Sequence, residues 1–299
     1  MQVLYQLSVN EQALNNNAAK ILNNNLNQTS RLFTYLIYFL TEVARYAEKD
    51  ASVKAAKHLA TSADKNINIK LAGNTLLWKI LENDSYKKAL ATYKFSFEQT
   101  GSLVRKIYNE LTASSIYQSY INALSREPKT EKEILTFIFT DLMLPCEDFI
   151  SHIEEYFTNW DDDADMLQAL MLAFLQKPAG LNLQQMPDKE KEAFAKNLFE
   201  AVIEKKDYVN ALIKARLKNW DPERIAALDM ILMQMGVCEF LYFPTIPPKV
   251  TINEYIDLAK DYSTAQSGQF VNGILDGIHK DLLNENKIHK SDFKPKKAN

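Results

Sequence analysis

The sequence predicts an all-α protein, on three observations: helix-breaking residues are scarce, apolar positions recur at helical spacing, and strand signals are weak. Only 7 Gly and 9 Pro occur in 299 residues, and no proline precedes Pro128. These residues interrupt helices and build tight turns, so their scarcity favours long helices. The one Asn-Gly pair, Asn272-Gly273, lies inside a helical pattern and not between two alternating segments, so it signals no hairpin. An apolar fraction of 46%, with 15 Phe and 14 Tyr, supplies a sizeable core and argues against disorder.

From Thr29 to Ala47, the residues Leu32, Leu36, Phe39, Leu40 and Val43 recur at helical spacing behind a Thr-Ser start. Further helices are expected over 51–61, over 70–110 with a break near Asp84-Ser85 or at Gly101, and over 113–124. Thr130 and Glu133 read as a capping box, and Pro145 should kink or split the helix they open. The stretch Cys146 to Asp165 holds eight acids and no Lys or Arg, and Asp161-Asp162-Asp163 reads as a helix-capping cluster, since the glycine and distal Glu of a calcium loop are missing. Lys177-Pro178-Ala179-Gly180 ends a helix and opens a polar linker through Pro187, the best domain boundary in the chain. Helices over 188–205, 207–218, 222–241, 251–262 and 264–283 follow, then a lysine-rich tail expected to be frayed and solvated. The organisation expected is an amino-terminal helical region over 1–184, a carboxyl-terminal helical domain over 185–283 and a basic flexible tail over 284–299.

Chemistry is marked mainly by what does not assemble. No glycine-rich phosphate loop, no Gly-x-Ser-x-Gly and no Cys or His pair at metal-ligand spacing occurs, so neither an enzyme nor a metal or cofactor is expected. The net charge of -3 provides no global attraction to nucleic acid, so any RNA contact must be local. Cys146 and Cys238 stand among apolar residues and read as buried thiols of a reducing compartment. The residues after Met1 lack a secretory pattern, and the most apolar stretch, Leu32 to Leu40, is far short of the ~20 residues of a membrane span. A cytoplasmic protein is expected.

Three blocks near the end carry a resemblance. Pro247-Pro248-Lys249-Val250-Thr251-Ile252-Asn253-Glu254-Tyr255-Ile256-Asp257-Leu258-Ala259-Lys260 is followed by Ser267-Gly268-Gln269-Phe270-Val271-Asn272-Gly273-Ile274-Leu275-Asp276, and preceded by a helix from Asp229 to Glu239. Between Pro187 and Leu283 the chain resembles the carboxyl-terminal part of the NusB family, and Gln2-Val3-Leu4-Tyr5 resembles the motif of that family's first helix. The roughly 170 residues between these pieces show no counterpart and read as an elaboration. Two departures stand out: the arginine-rich run that the family places before its first motif does not stand before Gln2, so either translation starts upstream or that electrostatic handle is lost, and Gln234 stands where the family has Arg. Within the matched blocks, Ile252, Tyr255, Ile256 and Ala259 should form an apolar face with Val250 packed ahead of it. Val271, Leu275 and Ile278 should be core, and Gly273 and Gly277 should admit a neighbouring backbone. Asn253 is expected to cap its helix or bond a neighbouring turn.

The resemblance implies a transcription antitermination factor. Such a protein pairs with the ribosomal protein NusE, binds boxA RNA and acts with RNA polymerase on ribosomal RNA operons. It also implies roles for six residues. Phe270, with Gln269 before it, matches the position where the family offers an aromatic to RNA, and burial in the core is the competing reading. Tyr5 is a second stacking candidate against a helix-packing alternative, and Lys249 a phosphate contact against plain solvation. Asp229 and Glu239 match acidic positions on a helix that faces the basic NusE, the alternative being two solvated acids. Two other functions compete: an RNA-binding accessory module of rRNA processing or methylation, and a helical scaffold. Co-purification with NusE, with rRNA-processing enzymes or with neither separates the three.

Overall fold

The computed structural model describes residues 1–9, 17–56, 68–180, 182–217 and 225–290. The expected helical residues past 56, the expected helix start at 222 and the tail beyond Lys290 lie outside them. Fourteen α-helices and no strand occur among the described residues, so the all-α reading holds. None of these helices is long and apolar enough to cross a membrane. Contacts divide the chain into two units, Met1–Asn24 with Lys189–Asn299, and Asn25–Asp188.

The first unit holds α1 (Gln2–Val9), the start of α2 (Ala18–Ala55), and the helices after the linker. These last are α10 (Lys189–Glu204), α11 (Lys206–Arg216), α12 (Ala227–Tyr242), α13 (Pro248–Tyr262) and α14 (Ser267–Asn284). Every residue of α12 from Ile231 to Phe240 is buried, the expected fate of a helix that is apolar on all faces. Val3, Leu4 and Leu7 of α1 join the same core. Close approach to α12 is bought at Gly236, where a Cβ would stand 2.9 Å from Leu275 Cδ2 and 3.3 Å from Tyr255 Cδ2.

That corrects the sequence reading of Gly273 and Gly277. The first has nothing within 4 Å and the second faces the Arg216 guanidinium, because both lie off the buried stripe of Val271, Leu275 and Ile278. The expected face of α13 forms, with Tyr255 and Ala259 buried and Ile252 and Ile256 half-buried. Val250 is exposed, however, and Asn253 is an exposed interior residue and not a cap. Both follow from helix initiation at Pro248, whose fixed φ suits the first helical position. Residues 285–290, just past α14, do not fray as expected. Lys287 N bonds Leu282 O at 2.8 Å, Ile288 packs on the core, and Lys290 Nζ donates to Glu239 O and Phe243 O, both at 2.8 Å. The ammonium adds a second donor to carbonyls that already accept from Phe243 N and Ile246 N, and so holds this segment against the end of α12.

The second unit holds the rest of α2, then α3 (Thr75–Glu82), α4 (Asp84–Tyr93), α5 (Phe97–Ala113), α6 (Ser115–Asn122), α7 (Pro128–Phe137), α8 (Glu147–Tyr156) and α9 (Trp160–Gln176). The break expected near Asp84-Ser85 is there: Asn83 ends α3, and its side chain accepts from Ser85 N and Tyr86 N to start α4. Gly101 instead lies inside α5, and the second interruption falls at Lys94, in the left-handed region at φ 51°. The helix assigned to a Thr130 cap starts earlier, at Pro128, and Thr130 Oγ1 bonds Glu127 O at 3.0 Å. It runs on through a wider π turn, Ile138–Met143, and stops before Pro145. The three aspartates 161–163 lie in the first turn of α9, where negative charge complements the helix dipole. Both cysteines are buried and unbonded, and burial pushes the Cys238 thiol up to about 12.

Candidate nucleic-acid interface

α13 and α14 are joined by a four-residue turn, so they run antiparallel, and polar contacts fix them against α12 at both ends. At the amino-terminal end of α12, Ser267 Oγ donates to Asp229 Oδ2 at 2.8 Å. At its carboxyl-terminal end, Glu239 accepts from Thr251 Oγ1 at 2.9 Å and from the Tyr255 hydroxyl at 2.6 Å. The start of α14 therefore lies by the start of α12, and the start of α13 by its end.

This frame sorts the residues singled out from the sequence. Gln269 is exposed and Phe270 half-buried in the first turn of α14, at the Asp229 end. Phe270 packs partly on the core, so it occupies a middle ground between the two readings. Lys249 is exposed at the opposite, Glu239 end, about 20 Å back along α13 at 1.5 Å per residue. One RNA nucleotide cannot touch both. Tyr5 is exposed on α1, whose Leu4 and Leu7 line a groove of about 470 Å³ with Met230, Ile231 and Gln234 of α12. Lys206 and Lys214 of α11 also line that groove. Gln234, at the family's arginine position, donates from Nε2 to Asn210 Oδ1 at 2.8 Å and so closes α12 to α11 without a charge.

Asp229 and Glu239 are each only 6% exposed, which is neither a solvated acid nor an open contact surface. Burial pushes the Glu239 carboxyl above its usual range, against the bonds from Tyr255 and Thr251 that favour its ionised form. Asp229 keeps one carboxylate oxygen, Oδ1, without a hydrogen-bond partner. Sequence reasoning missed the polar anchors Thr251, Tyr255 and Ser267, each of which sits in a block quoted above. Their signal was a hydroxyl on an apolar helix face, which requires a buried acceptor. Among the described residues no cluster of three or more His, Cys, Asp or Glu is placed to hold a metal ion.

Known proteins decide the family. The NusB family profile matches residues 155–280. The "Transcription antitermination protein NusB" of Desulfatibacillum aliphaticivorans is 42% identical over 104 residues, 35% of this chain and 73% of that protein. This chain belongs to the NusB family. The protein of the same description from Salinibacter ruber is 36% identical over 135 residues, covering 45% of this chain and 80% of the relative. No solved structure matches the chain. The NusB match corrects the sequence reading in one respect: it begins at residue 155 and not near Pro187, so α9 belongs to the matched stretch.

Proposed function

We propose that the protein is a transcription antitermination factor, binding boxA-type RNA with a NusE-type ribosomal protein and acting on RNA polymerase at ribosomal RNA operons. The observation that carries this reading is the anchored α12–α13–α14 assembly. The family's blocks fold into one unit here, with Asp229–Ser267 and Glu239–Thr251/Tyr255 as its ties. Its outer surface presents Gln269 and Phe270 at one end and Lys249 at the other, and α1 presents Tyr5.

In this reading, Phe270 and Tyr5 stack on unpaired bases, Gln269 hydrogen-bonds a base or sugar, and Lys249 meets a phosphate further along the strand. Asp229 and Glu239 serve partner binding by holding the surface in shape and not by touching the partner, because both are almost fully buried. The protein acts by binding and carries no catalytic step of its own. Fluorescence anisotropy of labelled boxA RNA, titrated with this protein alone and with its cognate NusE, tests the reading. A tighter ternary complex that discriminates against scrambled RNA supports it. Equal, weak binding to both RNAs with no effect of NusE defeats it.

A further inference from the structure

In the second unit, α3, α7 and the end of α9 form a cleft of about 540 Å³ that three lysines line. Lys79 stands on α3, Lys132 on α7 and Lys177 just past α9. Two carboxylates, Glu82 and Glu131, share the lining, but Glu131 is already engaged. It is 1% exposed and accepts from Tyr120, Arg126 and the Thr75 backbone. The Lys132 ammonium donates to Gln176 Oε1 at 2.6 Å, which ties α7 to α9 and leaves two of its three donors. Lys79 and Lys177 are exposed, and among the described residues no hydrogen bond or ion pair engages either ammonium. The Lys177 stem lies along Gly180, where a Cβ would stand 3.5 Å from its Cδ.

We propose that this cleft is a phosphate site, holding the phosphate groups of a nucleotide, free or within an RNA strand, on Lys79, Lys132 and Lys177. It goes beyond the boxA reading and stands without it, since it uses no residue of the first unit. Three ammoniums around one concave space, with a single open carboxylate, repel one another, and an anion between them removes that repulsion. Among the described residues no arginine lines the cleft, so the planar fork that matches a carboxylate is missing. Lysine point charges suit the oxygens of a phosphate. Leu76 and Pro178, both buried, give the wall an apolar patch against which a sugar or base can lie. A volume of about 540 Å³ falls within the roughly 300–1,000 Å³ of small-molecule sites. A second hollow of about 420 Å³ shares Pro128, Lys132 and Gln176 with the first, but there Lys129 and Glu133 pair at 3.7 Å and cancel. The uncompensated positive charge is therefore concentrated in the first.

Calorimetric titration of the full chain, in a buffer free of phosphate, with inorganic pyrophosphate, ADP and hexauridylate tests the site. At least one of these probes should bind the parent and lose roughly tenfold or more in affinity when Lys79→Gln is combined with Lys177→Gln, about the worth of one charge-assisted contact. Arginine at the same two positions should keep most of the affinity, because the charge is retained. Hexauridylate binding that falls with the glutamine variant assigns the phosphates to a strand, and ADP binding that falls while hexauridylate does not bind assigns them to a free nucleotide. The bound probe should also shield Lys79 and Lys177 of the parent from acylation, read by mass spectrometry, a result that no folding defect can mimic. Failure of the parent to bind any probe, equal affinity of parent and glutamine variant, or competition by hexaglutamate as strong as that of the phosphates would overturn the site. Failure of the boxA titration alone would remove the proposed function and leave this site standing.

Discussion

The two units solve the same problem, burying polar groups among helices, by different chemistry. In the first, the buried polar groups are chiefly acids at the two ends of one central helix, each tied to a hydroxyl of the α13–α14 hairpin. In the second they are a single acid, Glu131, with Asn74, small hydroxyls and several buried tyrosines. Tyr86 meets Thr41 at 3.1 Å, Tyr120 donates to Glu131 at 2.7 Å, and Tyr35 meets His152 at 2.5 Å. The Tyr86 and Tyr35 bonds tie α2 to later helices; the Tyr120 bond ties α6 to α7. The difference teaches where shape is being specified. Two carboxylate ties orient a short hairpin, whereas tyrosines spread through a core tie successive helices to one another.

The contrast is sharpened by α9. It lies inside the stretch that matches the NusB family, yet Leu167, Met171, Phe174 and Leu175 are buried in the core of the second unit. The second unit therefore holds one helix of the matched stretch in its core.

The largest effect should come from Glu131. Its carboxylate accepts from Tyr120, from Arg126 at 3.3 Å and from the backbone of Thr75, and it is 1% exposed. Glu131→Ala strands the buried Tyr120 hydroxyl and also takes the acceptor from Arg126 and Thr75 N, and should cost ~3 kcal/mol, the upper end for a lost buried hydrogen-bond partner. Native-state hydrogen exchange should place that loss in the second unit and leave α12 protected; an equal loss in both units would show that they unfold as one. Gly236→Val should do the converse, at ~1–3 kcal/mol, by forcing a side chain against Leu275 and Tyr255. Loss of protection outside α12–α14 would break the comparison from the other side.

Glu239 separates charge from hydrogen bonding. Its folded pKa is raised, so the native state holds its proton more tightly than the unfolded chain. Its contribution to stability therefore falls as pH climbs from the ordinary carboxylate range through the raised value. Glu239→Gln keeps an acceptor for Tyr255 and removes that pH dependence, so denaturant midpoints of the variant should drift less across this window than the parent's. Glu239→Ala should cost ~1–3 kcal/mol by stranding Thr251 and Tyr255. A parent whose stability rises through the same window would contradict the direction of the shift. Smallest of all is Tyr5→Ala, expected within about 0.5 kcal/mol in stability because the ring is exposed, with any consequence confined to RNA affinity.

How far the sequence could be read follows from the same physics. The helical class was legible because Gly and Pro scarcity is a property of the whole chain, and the break expected near Asp84-Ser85 is real, with Asn83 capping the helix that follows. The glycine pair Gly273 and Gly277 misled, since spacing cannot say which face of a helix is inward, while the lone Gly236 carried the close contact. Asp229 and Glu239 were legible as significant but not as buried. Their partners lie 38, 12 and 16 residues away in sequence, and only the fold brings the hydroxyls to them.

The central claim is that the anchored hairpin presents its start, at Gln269 and Phe270, to RNA. Anisotropy titrations of boxA RNA with the NusE-bound protein, parent against Phe270→Ala, at two or more salt concentrations test it most directly. The account predicts a loss of ~1–3 kcal/mol with an unchanged salt slope, since a stack releases no counterions. Unaltered affinity, or a loss that vanishes at high salt, would contradict it.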